Sequence, residues 1–264
     1  MTWNPLKKTY LTTKPSPAPF VLSKTDERNL EITFQKLQNI EETAKRLQKE
    51  MKKYLEAIAN VAKSEQKITA DLSVSALCHQ NEELRKLIED YHSVTSQLSE
   101  FAREISSVNQ RTFQEPLKRF GGTFSNVESG FHHREQLVQE WRTLAAKVRK
   151  LEERERTAST VVKLDRDKKA LDVAAKELAT YHAFLLAELT QFLEKRSEYF
   201  RPSLQALVRS QLDYYGNNTR LFTHLVPATS TPEGSPSSAA SDSQFEASIS
   251  DKLDRIRALS IVRT

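Results

Sequence analysis

The residues of this chain best able to do chemistry are cations. Between Lys147 and Lys169 stand nine Lys/Arg against five Asp/Glu. A second cluster, KRLQKEMKK (45–53), holds five bases and one acid. At about 100° per residue, Lys45, Lys49 and Lys52 share one helical stripe, with Arg46 and Lys53 beside it and Ala44, Leu47 and Met51 opposite. Such faces suit an anionic surface. Each Lys or Arg near an acidic bilayer contributes about 1 kcal/mol, screened by salt. The formal net charge of +5 points the same way without choosing between phospholipid and nucleic acid. Nucleic acid is the poorer reading, because the basic stretches lack flanking aromatics for base stacking.

Other reactive residues lead nowhere catalytic. Adjacent His132 and His133 cannot point the same way on a helix, so no two-histidine metal site is expected. Cys78 is the one cysteine, which excludes an intrachain disulfide. Beside His79 it could form a nucleophile–base pair, but a turn cysteine is the favoured reading. There is no Gly-rich phosphate loop, no HExxH and no paired-cysteine metal motif. We expect no enzyme, no cofactor and no metal. Ser16-Pro17, Thr231-Pro232 and Ser235-Pro236 are minimal sites for a proline-directed kinase, where phosphate would oppose docking on an acidic surface.

The elements that position these residues follow from periodicity. No proline or glycine occurs between Phe20 and Glu115. From Leu30 to Leu72 apolar residues recur at threes and fours, which predicts a helix over about 25–74, started by Thr25 or Ser23. SVSALCHQN (73–81) breaks the pattern. A second seam runs from Leu84 to Leu151 and keeps phase across Pro116 and Gly121-Gly122. It predicts one helix over about 80–155, roughly 110 Å long, bent near 116–122. EERERTAST (152–160) is the next turn. A third seam predicts a helix over about 162–225, kinked at Pro202. Residues 1–23 carry four prolines and read as an extended arm. Residues 227–264 read as a disordered Ser/Pro-rich tail with a short amphipathic end. No run approaches the ~20 apolar residues of a membrane span, so any membrane contact is peripheral.

The fold class expected is all-α, an elongated, kinked, three-helix antiparallel coiled coil. Phe101, Phe113, Phe120, Phe124 and Phe131 make the middle of the second helix aromatic. An ordinary core and a dimer interface both accommodate them.

EITFQKLQNIEE (31–42), RLQKEMKKYLEAI (46–58), EPLKRFG (115–121), REQLVQEWRTLAAKVRKLEERE (134–155), EKRSEYFRPSLQALVRSQLDYY (194–215) and MTWNPLKK (1–8) resemble segments of the BAR superfamily, specifically its SH3-less bridging integrator three and fungal Rvs-type branch. The resemblance covers roughly residues 1–225. It implies a crescent-shaped dimer, with itself or a related BAR chain, that binds and senses curved anionic membranes. It also implies links to actin organisation, endocytosis and cytokinesis, actin-regulatory or small-GTPase partners, and a cytoplasmic, cytoskeleton-associated place at the plasma membrane or endocytic sites. By position, His132, His133, Arg134, Arg142, Lys147 and Arg149 are concave-face candidates, and Lys150, Arg154, Arg156 and Lys163 tip candidates. Histidine stands at 132 and 133 where relatives more often carry Lys or Arg. The proline-broken arm differs from the inserting amphipathic helix of amphiphysin-type relatives. The alternative reading is a cytoskeletal or signalling adaptor dimer with little lipid affinity.

Overall fold

The computed structural model describes residues 9–76, 78, 81–153, 157–225 and 238–259. Helix α1 spans Lys24–Ser73, α2 Glu82–Asn109, α3 Glu115–Glu152, α4 Ala158–Leu225 and α5 Ser238–Arg257, with a π-helical turn, Gln110–Gln114, joining α2 to α3. Two compact units result, Met1–Thr219 and Arg220–Thr264.

Local chemistry fixes the ends. Ser23 caps α1 by accepting the Asp26 amide at 3.1 Å, and Asn81 caps α2 by accepting the Leu84 amide at 3.0 Å. The long middle helix is continuous from 82 to 152, as its unbroken phase predicts. Its adjustment sits upstream of the residues that announced it. Pro116 lacks the N–H that would bond the carbonyl of residue 112, and the π turn immediately before it absorbs the mismatch. Gly121 and Gly122 remain within regular helix. Helix α4 starts at Ala158, earlier than the expected 162, because Thr157 and Thr160 exchange amide–hydroxyl bonds of 2.8 and 3.3 Å across its first turn. It continues through Pro202.

Within the first unit, cross-helix contacts show the antiparallel order. Thr69 of α1 meets Thr95 of α2 at 2.9 Å, while nearer the other end Ile58 and Ala62 pack with Ala102 and Ile105. Against α4, Asn109 meets Ser210 at 3.0 Å, Pro116 meets Tyr199 at 2.9 Å, and Gly130 meets Tyr181 at 3.2 Å. Gly130 permits that close approach, since a Cβ would come within 3.1 Å of Leu185 Cδ1, which would have to give way.

The aromatic stretch resolves in favour of the core. Phe113, Phe120, Phe124 and Phe131 are buried with Leu30, Phe34 and Leu37 of α1 and with Leu185 and Leu189 of α4. Phe124 is 0% exposed, with Phe120 and Phe192 edge-on at 5.4 and 5.9 Å. The reading of these phenylalanines as a dimer surface is thereby corrected: three helices of one chain already consume them. Phe101, the remaining candidate, is half-buried beside the Ile58–Ile105 cluster.

In the second unit, Ser238–Arg257 is helical, where composition predicts disorder up to 250. No proline follows Pro236, and Asp251–Arg255 pairs at 2.8 Å on the i,i+4 spacing that supports a helix. Residues 227–237 of the expected tail lie outside the described residues.

Candidate membrane-facing surface and the arm-docking groove

The predicted cations divide into three groups. Lys147, Lys150 and Lys163 are exposed, and no ion pair engages them among the described residues. They flank the turn between α3 and α4. At about 100° per residue His132, Lys147 and Lys150 fall within some 60° of one another, on the solvent side of α3. His132 and His133 are exposed too, His132 facing the Gln136 amide at 3.3 Å and His133 set edge-on to Tyr181 at 4.6 Å. Arg154 and Arg156 lie outside the described residues.

A second group is neutralised along its own helix. Arg149 pairs with Glu153 at 3.3 Å. On α1, Lys45 binds Glu41 at 2.6 Å and Lys52 faces Glu56 at 3.6 Å, leaving Lys49 as the exposed member of that stripe without an ion pair among the described residues.

The third group has turned inward. Arg134 is 1% exposed. Its guanidinium donates to the Ser16 carbonyl at 3.0 Å, to Glu135 at 2.6 Å and to His182 Nδ1 at 3.2 Å. Arg142 donates to the Pro17 carbonyl at 2.7 Å. Arg134 is therefore corrected from a membrane contact to an interior strut, because the N-terminal arm lies over it. Burial pulls the Arg134 guanidinium below its ordinary range, with Glu135 opposing. Burial and then the neighbouring Arg134 charge push the His182 imidazole below its usual value, against smaller opposing effects of Asp26 and Glu27.

Residues 9–22 of that arm are non-helical and docked on the bundle, and residues 1–8 lie outside the described residues. Leu11 and Ala18 are buried in the α1–α3–α4 core. Carboxylates of the bundle take up the arm's backbone donors in order. Glu41 accepts the Tyr10 and Leu11 amides at 2.7 and 3.1 Å. Glu128 accepts the Thr12 and Thr13 amides at 3.1 and 3.0 Å and both threonine hydroxyls. Glu135 accepts the Ser16 amide at 2.9 Å, and Glu27 accepts that of Ala18. An extended strand off any sheet leaves its amides unpaired, and here side chains replace the missing partner strand. The arm ends in a turn, Val21 and Leu22 amides returning to the Ala18 carbonyl at 3.0 Å, which holds Phe20 90% exposed.

The sequence reading missed Glu41, Glu128, Glu135 and His182. Two of them left a trace, since Glu41 and His182 occupy inward phases of the apolar seams.

Among the described residues no helix is long and apolar enough to cross a membrane, and no three His, Cys, Asp or Glu side chains gather as metal ligands. Cys78 is buried and its amide bonds the Ser75 carbonyl at 3.1 Å. The family described as BAR domain matches residues 22–230. Bridging integrator 3 of Homo sapiens is 34% identical over 262 residues, 99% of each chain. The Regulator of cytoskeleton and endocytosis RVS161 of Candida albicans is 25% identical over 236 residues, 87% of this chain and 89% of its own. A crystal structure of a BAR protein from Galdieria sulphuraria superposes with a TM-score of 0.58 at 12% identity, covering 76% of this chain and 96% of that one.

Proposed function

Because the chain belongs to the BAR domain family, we propose that it acts as a dimeric scaffold, crescent-shaped, that binds and senses curved anionic membranes peripherally. In this reading it serves endocytosis, cytokinesis and the actin cytoskeleton from the cytoplasmic side. The name of the Candida albicans relative, a regulator of cytoskeleton and endocytosis, supports that setting. The observation that carries membrane contact is the exposure of Lys147, Lys150 and Lys163 around the α3–α4 turn, without an ion pair among the described residues.

Dimerisation is better served by α4 than by the core phenylalanines. Leu204, Val208, Leu212 and Tyr215 are exposed. At about 100° per residue they form one stripe some 80° wide. A stripe of four large apolar side chains on a solvated helix is what a second copy, or a related BAR chain, would cover.

Co-sedimentation with phosphatidylserine vesicles tests the lipid half. Lys147→Glu, Lys150→Glu and Lys163→Glu together remove about 3 kcal/mol of attraction or more, roughly hundredfold in affinity. Raised salt should weaken the wild type towards the variant. Sedimentation unchanged by the triple reversal would refute this surface. No binding by the wild type, with dimer and protein-partner capture intact, would establish the adaptor reading instead.

A further inference from the structure

Ser16-Pro17 lies in the docked arm, and the bundle around it is charged in a particular way. Ser16 is half-buried and lines a cleft of about 440 Å³ with Lys14, Lys24, Arg28, Glu27, Glu31 and Arg134. The two acids there differ, Glu31 being charge-paired and Glu27 only hydrogen-bonded. Glu27 accepts the Ala18 amide, and Glu31 pairs with Lys14 at 3.2 Å. Arg134 is compensated by Glu135 at 2.6 Å. Lys24 and Arg28 are exposed, sit one turn apart on α1, and make no ion pair among the described residues. Lys24 and Arg28 thus stand on one helical face of the cleft against the single unneutralised carboxylate of Glu27, beside a serine followed by proline in extended backbone.

We propose that Ser16 is a phosphorylation site for a proline-directed kinase and that Lys24 and Arg28 receive the phosphate, locking the arm onto the bundle. The reaction is ordinary phosphoryl transfer. The Ser16 hydroxyl oxygen bonds the γ-phosphorus of ATP, the bond to the ADP oxygen breaks, and the hydroxyl proton leaves. The product carries close to two negative charges and three acceptor oxygens. Lys24 and Arg28 bring two positive charges to it against the one negative charge of Glu27, and the Arg28 fork can take two of the oxygens at once. Glu135 does not oppose it, because its charge is spent on Arg134 and on the Ser16 amide. The kinase would act on the arm while it is undocked, and the phosphate would then favour the docked state, so modification traps a pre-existing conformation.

The experiment uses the full chain in two steps. A purified proline-directed kinase is applied and modified residues are mapped by mass spectrometry, with Ser16→Ala as control. Failure to modify Ser16 would overturn the site. The chain is then made with phosphoserine installed at 16, and hydrogen exchange of the amides of residues 10–18 is followed. Phosphorylation should slow that exchange at least tenfold. Lys24→Glu with Arg28→Glu should abolish the gain in the phosphorylated chain and leave exchange in the α2–α3 helix unchanged. The milder Lys24→Ala/Arg28→Ala pair serves should the reversal disturb folding. Unchanged or faster exchange on phosphorylation, or a gain that survives loss of both cations, would refute the clamp.

Discussion

Replacing Glu128 by alanine should release the middle of the N-terminal arm. The Glu128 carboxylate accepts the Thr12 amide at 3.1 Å and hydroxyl at 2.8 Å, and the Thr13 amide at 3.0 Å and hydroxyl at 2.5 Å. A hydrogen bond to a charged group contributes about 1.5–3 kcal/mol net when it is shielded and less when water competes. The Thr12 bonds are exposed, so we count nothing for them. The two Thr13 bonds are partly buried, and the low end of the range for each gives about 3 kcal/mol. At about 1.4 kcal/mol per tenfold, the opened state of this segment should rise roughly hundredfold. Amide hydrogen exchange read at Leu11, Thr12 and Thr13 measures that population directly. Glu128→Gln keeps an acceptor oxygen but not the charge, and should show about half the effect in free energy. Exchange at free-peptide rates in the wild type, or rates at Thr12 and Thr13 unmoved by alanine, would show that this carboxylate does not hold the arm.

The core assignment predicts that Phe124→Ala costs about 3–5 kcal/mol in denaturant unfolding, with little change in any self-association measured by analytical ultracentrifugation. Weakened dimerisation with unaltered protomer stability would instead restore Phe124 to an interface. His182 predicts a pH dependence. Its folded pKa is depressed by burial and by Arg134, so the unfolded chain takes up the proton first. Stability should fall as pH drops below the unfolded value of about 6.5, by up to about 1.4 kcal/mol per unit. Unfolding free energies at pH 7.5 and 5.5 should therefore diverge more for the wild type than for His182→Gln, and parallel profiles would refute it.

How much of this was legible in the sequence follows from where apolar residues run out. The long α2–α3 helix was readable because its seam keeps phase for some seventy residues. The π turn was not, since QRTFQ carries no mark of its own and only Pro116 downstream requires it. Buried polar residues stayed hidden for a related reason. Phe131 and Val138 are seven apart, and Arg134 fills the step between them at the same phase. His182 follows Leu178 by four and precedes Leu185 by three, and Asn109 lies four from both Ile105 and Phe113. A reading by hydrophobicity passes over such positions, yet a gap of seven in a seam of threes and fours is itself a signal. The groove that takes the arm had no local signal, because Thr13 and Glu128 are 115 residues apart and an extended strand has no helical period.

The buried cluster also ties the arm to the charge that the bundle can present. A guanidinium inside a coiled coil costs several kcal/mol of desolvation unless it is paired and fully hydrogen-bonded. Arg134 meets that condition only with the arm in place, since one of its three partners is the Ser16 carbonyl. Arg142 likewise spends a donor on Pro17. Undocking would leave Arg134 short of an acceptor and free the Arg142 guanidinium from the arm, on the helix that carries Lys147 and Lys150. Arm docking and surface charge are in this way two readings of one set of hydrogen bonds. On the proposed membrane reading, a change that fixes the arm, such as a phosphate at Ser16, should leave vesicle co-sedimentation dependent on the lysines around the α3–α4 turn.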